Sequence, residues 1–569
     1  MKLSLFLEYA RGERPVNLTL KGGTVVDVYT SSLKKADVSI AGDQIIMVGP
    51  SLSAEREVDC TGKYLCPGFI DAHVHIESSL MTPFAFGNAV VPLGTTSVVA
   101  DPHEIANVAG VKGIHFMIQS GRKSPLSVFY KAPSCVPATP FGTAGANLSA
   151  DDLTPLLEYE EVIGLAEMMN FPGLVFGDPG ALNKMEAFSG QHIDGHSPGQ
   201  SGPLLQAYAG AGITTDHECM TQDEMNERLS LGMHVLIREG SAAKNLMALL
   251  PSITPENARY CSFCTDDRHP AEIMAEGHIN YMVKEAVKFG IDPVEAIRLA
   301  TINSAECFHL KDRGALAPGK RADVLILPDL CDFKPQSVYV GGELVAKNGQ
   351  MQSNFEDNSL AFELPDTFHV KDRQPSLNVP YNGGLLNVIE TIPDQLLTKW
   401  EKVEPAVLDG HLTADTEKDI LKIAVVERHL GSGNVGIGFI KGFGLKTGAI
   451  AGSVGHDAHN LTVVGCDDQS MQTAIEHVCK MKGGLVAAQG NRVLAECALP
   501  VGGLMSEKPM SKIQEEMEKL LDQARKMGSH LKDPFMTLSF MSLEVIPELK
   551  LTDQGLVDTQ KMKFVDLTS

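Results

Sequence analysis

Short β-branched runs open the chain at 17–20 (NLTL), 24–28 (TVVDV), 36–40 (ADVSI) and 44–48 (QIIMV), separated by Gly-Gly, Ser-Ser and Gly-Asp turns. Runs of this kind predict hairpin-linked strands. The same texture returns at 321–327 (RADVLIL) and 337–349 (SVYVGGELVAKNG). Two halves of one small β domain, parted by about 250 residues, imply an insertion, and that length suits a (β/α)8 barrel. Within the insertion, eight apolar runs end in polar or ionisable residues, at 69–77, 96–102, 127–137, 162–170, 191–198, 213–219, 234–240 and 260–267. Helical patterns at 105–120, 181–188, 204–210, 223–231 and 242–250 fall between most of them, so β and α alternate. Residues 351–384, rich in Pro, Asp and Asn, read as a linker or extended wrap. In 385–569, helices are predicted at 416–427, 471–480 and 511–527 and strands at 433–439, 461–465 and 484–488.

The expected fold class is therefore α/β: a (β/α)8 TIM-like barrel (67–310) inserted in a small β-sandwich domain (1–66 with 311–350), followed by the linker (351–384) and a C-terminal α+β domain (385–569). Length agrees, since 569 residues exceed what one hydrophobic core supports.

Charge narrows the partners. With 48 Lys+Arg against 71 Asp+Glu the formal charge is -23, which repels a phosphate backbone or an anionic membrane and leaves a small neutral or cationic substrate allowed. One Trp and 6% aromatic residues offer little for stacking nucleic-acid bases. Eleven cysteines without regular spacing read as reduced thiols, hence a cytoplasmic location. The apolar opening is broken by Glu8, Arg11 and Glu13, too early for a signal peptide, and no run of eighteen apolar residues follows.

The ends of the predicted barrel strands carry the chemistry. His73 and His75 are two apart, which in a strand points both rings to one face. The other ends hold Asp101, His103 and Glu104; Glu167; His192, Asp194 and His196; Asp216, His217 and Glu218; Arg238 and Glu239; and Asp266, Asp267, Arg268 and His269. A lone H-x-H is as often a pair of core histidines as a site. Imidazoles and carboxylates at seven strand ends are better explained by a polynuclear metal site, because buried ionisable groups are costly unless paired or metal-bound. Cys261 and Cys264, three apart on one strand with no second pair nearby, fit barrel packing better than zinc.

In order, PGFIDAHVHIESSLMTP, VVADPHEIANV, GLAEMMN, DGHSPG, TTDHE and FCTDDRHP resemble the metal-dependent amidohydrolase superfamily and, more closely, its adenine deaminase family; GSVGHDAHNLTVVG at 452–465 resembles that family's C-terminal domain. The resemblance covers nearly the whole chain. It implies hydrolytic deamination of adenine to hypoxanthine and ammonia, in purine salvage, by a binuclear centre on His73, His75, Glu167, His196, His217 and Asp266, with Mn or Fe favoured over Zn. His192 is an alternative to His196, since the strand register is open. Dihydroorotase-like and urease-like members of the superfamily carry a carboxylated Lys on the fourth strand that bridges two metals; here 162–170 holds none, and the resemblance implies that Glu167 bridges without modification.

A divalent metal lowers the pKa of water toward about 7 and so supplies a nucleophile. Asp266 is the expected proton shuttle, with Glu167, His103 and Glu104 as further catalytic candidates. His103 and Glu104 read equally well as an added metal site, a relay or a hydrogen-bonded loop. Arg238, Glu239, Asp267 and His459 are substrate-binding candidates, although Arg238 with Glu239 could instead form an ion pair at the barrel mouth. His456, Asp457, His459 and Asn460 are expected to close the site from a neighbouring domain or subunit. The partners implied are free adenine and water, with no nucleic acid, no membrane and a homo-oligomer. Competing readings are a cyclic-amide or other purine-ring hydrolase and a non-catalytic barrel scaffold.

Overall fold

The computed structural model describes residues 1–241, 243–352, 364–393, 395 and 397–569. The eight barrel strands are β1 (Phe69–Val74), β2 (Thr95–Ala100), β3 (Ser127–Ala132), β4 (Val162–Met168), β5 (His192–Gly195), β6 (Thr215–Asp216), β7 (His234–Arg238) and β8 (Cys261–Cys264). β1 to β5 pair in sequence as one parallel sheet and β6 to β8 as a second. Two seams close the ring. The Thr214 N–H donates to the Ile193 carbonyl (3.0 Å) between β5 and β6; beyond β8, the Asp266 N–H donates to the His73 carbonyl (2.9 Å) and the His75 N–H to the Asp266 carbonyl (3.2 Å).

All six residues of β1 and of β2 are buried, the continuous apolar pattern of parallel strands covered on both faces. The helix Ile279–Phe289 shows the complementary period: Ile279, Met282, Val283 and Ala286 face the core, and Gly290 ends it in the left-handed conformation. Register breaks occur where site residues emerge, between Asp71 and Val74 on β1 and between Leu165 and Met168 on β4. Such bulges re-aim side chains. Gly164, at φ 149°, opens the β4 break; a Cβ there would lie 2.0 Å from the His192 carbonyl.

Before the barrel, strand Tyr64–Pro67 pairs antiparallel with Val324–Leu327 after it, so the inserted segment leaves and returns at adjacent strands. Both lie in a seven-stranded sheet, which shares an apolar cluster (Leu18, Leu20, Val25, Leu65, Val324) with the four-stranded sheet of Val16–Lys21, Asp37–Ala41, Gln44–Gly49 and Ala54–Asp59. The opening residues form a helix, Leu3–Ala10, whose Phe6 and Tyr9 pack on Val16 and Ile46.

The C-terminal region is an eight-stranded sheet with helices Asp468–Met481 and Met510–Lys526. Ala424 and Val426 pack with the first helix, while Ile423 and Val425 join the large core that includes the second helix and the barrel. The helix expected at 416–427 is instead strand Ile420–Val426. Its seven residues, ILKIAVV, are buried on both faces, and an apolar run of that length has no period that separates strand from helix. Residues 353–363 of the expected linker lie outside the described residues; 364–384 carry no long element. Among the described residues no helix is long and apolar enough to cross a membrane.

Candidate active site

His73, His75, Glu167, His217 and Asp266 are buried together at the carboxyl end of the barrel, with His196 beside them. The Nε2 atoms of His73 and His75 are 3.2 Å apart and lie 3.4 and 3.1 Å from Asp266 Oδ1. Glu167 reaches both sides of the cluster: Oε1 is 3.2 Å from His75 Nε2, and Oε2 is 2.8 Å from His196 Nδ1 and 3.1 Å from His217 Nε2. The ring of His217 stacks on His73 at 4.1 Å. His75 Nδ1 lies 3.0 Å from the Asp101 carbonyl and donates to it, which leaves the Nε2 lone pair facing the cluster.

This set fits divalent metal ions. Four imidazoles and two carboxylates converge without a thiolate, and His73, His75 and Asp266 on one side and His73, Glu167 and His217 on the other form compact donor groups. Burial opposes ionisation of Glu167, yet His217, His196 and His75 hold its carboxyl well below the usual range; burial likewise opposes, and Arg238 with His73 and His75 outweighs it, at Asp266. Both therefore present charged oxygens.

Of the two candidates on strand five, His196 reaches Glu167. His192 lies deeper, its Nδ1 2.8 Å from Lys131 Nζ and 3.1 Å from Asp194 Oδ1. Arg238 donates to Asp266 Oδ2 (2.8 Å) and grips Glu218, so its guanidinium holds a ligand-side carboxylate in place instead of facing open space. Glu239 is apart from the cluster: Oε2 accepts from the Leu246 N–H (3.2 Å) at the start of a short helix, and burial raises its pKa. Asp267 Oδ1 accepts from the Ser78 hydroxyl, and His269 lies 3.8 Å from Asp533. Cys261 and Cys264 belong to separate apolar clusters.

Sequence reasoning assigned no role to Asp101 or Glu218. Asp101 Oδ2 lies 3.1 Å from His103 Nδ1, and Glu218 joins Arg238 to the His196 side of the cluster. Their adjacency to His103 and His217 was the available signal.

The C-terminal region enters the site through residues 454–460 of the same chain. His456 Nδ1 is 2.6 Å from Glu104 Oε1, and His459 Nε2 bonds Glu104 Oε2. The Gly455 N–H donates to His459 Nδ1 (3.1 Å), which fixes the proton on Nε2, from which it is given to Glu104. Both nitrogens of His459 are thus engaged within the chain, and Glu104, His456 and His459 form a further compact donor group. Burial lowers the His459 pKa to about 4; at His456 burial is outweighed by Glu104, and the pKa rises to about 9. The His456 ring stacks on Phe540 at 4.5 Å. A cavity of about 160 Å³ between barrel and C-terminal region, lined by His269, Asp533, Met536 and Phe540, adjoins a smaller one that reaches Ser78, Asp267 and His456.

Residues 64–345 match the Amidohydrolase family, and residues 395–563 match the Adenine deaminase C-terminal domain. Adenine deaminase of Desulfatibacillum aliphaticivorans is 47% identical over 569 residues, covering 98% of each chain. That of Nitratidesulfovibrio vulgaris strain DP4 is 45% identical, covering 99% of this chain and 98% of the relative, and that of Dehalococcoides mccartyi is 44% identical, covering 99% of each. A solved adenine deaminase structure is similar at a TM-score of 0.45 and 18% identity, over 58% of this chain and 99% of that one. By its full-length sequence relatives, the chain belongs to the adenine deaminase family.

Proposed function

We propose that the protein hydrolyses free adenine to hypoxanthine and ammonia, in purine salvage. The observation that carries this reading is Glu167: an unmodified carboxylate reaching two histidine groups, on a strand without lysine. His73, His75, Glu167, His196, His217 and Asp266 would hold two divalent ions, Mn or Fe in preference to Zn, which acidify water and so supply the nucleophile at neutral pH.

The remaining steps belong to the chain. Asp266, oriented by Arg238, takes the proton of the attacking water through a carboxylate oxygen and delivers it to the purine ring or the departing amine. His103, turned by Asp101 and 3.5 Å from Glu167, and Glu104, held by His456 and His459, form the polar wall on the other side. The C-terminal region covers this wall and limits water, in keeping with a small, uncharged substrate.

We also propose the division into a split small β-sandwich domain (1–66 with 311–350), barrel (67–310), linker and C-terminal α+β domain, a homo-oligomeric state and a cytoplasmic location. The shared apolar cluster of the two small sheets supports the first of these. The test of function is ammonia release from adenine, adenosine and guanine, and ring opening of dihydroorotate, by protein loaded with Mn or Fe. Adenine alone should turn over; turnover of adenosine without adenine would overturn the free-base reading, and of dihydroorotate would favour a cyclic-amide hydrolase.

A further inference from the structure

We propose that Asp457 is the residue through which the C-terminal region contacts the substrate, its carboxylate accepting a hydrogen bond from the imidazole N–H of the free purine. This rests on the deaminase reading and names a specificity determinant within it. The loop around Asp457 is held from every side. The His456 N–H donates to the Ser539 carbonyl (2.8 Å), and the Ser542 hydroxyl to the His456 carbonyl (3.3 Å). Arg428 donates to the His459 carbonyl, and Asn460 Nδ2 to that of Thr143 (2.8 Å). His456 and His459 both close on Glu104.

Amid these engaged groups, Asp457 is 5% exposed, and its Oδ2 has no hydrogen-bond partner among the described residues. Such an atom is costly to bury, so a loop this firmly fixed keeps it only if something else completes it. Burial raises its carboxyl to about 6, and the charges it senses are His103, Glu104, His456 and Glu167, all of the candidate site. Of these, His103 and Glu104 act on it more strongly than Glu167 does. The 6-amino group must lie at Glu167 and Asp266, where it departs, which places the imidazole half of the base on the Asp457 side. A nucleoside, substituted at the ring nitrogen, has no proton to offer there.

The experiment compares parent, Asp457→Asn and Asp457→Ala proteins for adenine kinetics, hypoxanthine binding by calorimetry, bound metal and melting temperature. Asp457→Ala should raise the KM for adenine and the Kd for hypoxanthine by roughly ten- to a hundred-fold. Metal content should be unchanged and the melting temperature no lower. Unchanged KM and Kd would overturn the proposal, and so would loss of metal, which would make Asp457 a ligand. A parent that binds hypoxanthine yet releases no ammonia from adenine would defeat the deaminase reading, and the Asp457 contact would then be judged on binding alone.

Discussion

Two polar clusters are buried in the same barrel, and they differ in how their donor atoms are arranged. In the deeper one, Lys131 lies 3.5 Å from Asp194 Oδ2 and 2.8 Å from His192, and Thr215 donates to Asp194 Oδ1 (2.9 Å). One cation meets one carboxylate, and burial with Lys131 beside it lowers the His192 pKa to about 4, so the set is neutral. At the mouth, Asp266 and Glu218 share a single guanidinium, Arg238, while Glu167 is met only by histidines. Residue type does not distinguish the clusters, since each holds histidine and acid on strand ends. Convergence of donor atoms does, with His73, His75 and Asp266 on one side and His73, Glu167 and His217 on the other, and it marks the mouth as the place suited to an added cation.

Substitutions at each cluster should break this contrast in different observables. Glu167→Gln should lower ammonia release by on the order of a thousand-fold and reduce bound metal, measured together on one preparation; a fully active variant would make Glu167 structural. Lys131→Met, which strands Asp194, should cost about 3 kcal/mol in denaturant unfolding while metal per folded protein stays constant. If metal falls in proportion, the clusters are not independent. Arg238→Gln, which frees Asp266, should reduce kcat about ten- to a hundred-fold with little change in KM. An increased KM with unchanged kcat would return Arg238 to the role of a substrate contact.

A pH-dependent contrast concerns Glu544, whose carboxyl burial raises from 4.5 to about 8. The folded state then holds a proton that the unfolded chain releases, so stability is full below pH 4.5 and declines as pH rises toward 8. Glu544→Gln should flatten that decline between pH 5 and 8 in thermal melts. A parent whose stability rises over this interval would contradict the assignment.

The barrel was legible because the strand runs end in polar or ionisable residues, and the H-x-H spacing requires a shared face only if 69–75 is extended. The strand Ile420–Val426 was not, because a run buried on both faces lacks the alternation that separates strand from helix. Local spacing could not choose between His192 and His196. Their difference is depth in the barrel, set by Lys131 on another strand. Glu104 was visible as a candidate, but that His459 holds it through a proton fixed by Gly455 depends on a contact across 355 positions of chain.

Asp266 joins the last barrel strand to the first through its backbone, and its φ of 55° lies in the left-handed region. The residue that seals the ring is also the one whose carboxylate meets His73 and His75. A partly folded chain with an open barrel therefore has no complete set of donors, whatever its local structure. Metal uptake should follow the final, most non-local step of folding and draw the closed ring out of the ensemble of open ones, so that the cofactor acts as a lock on the topology as well as a reagent.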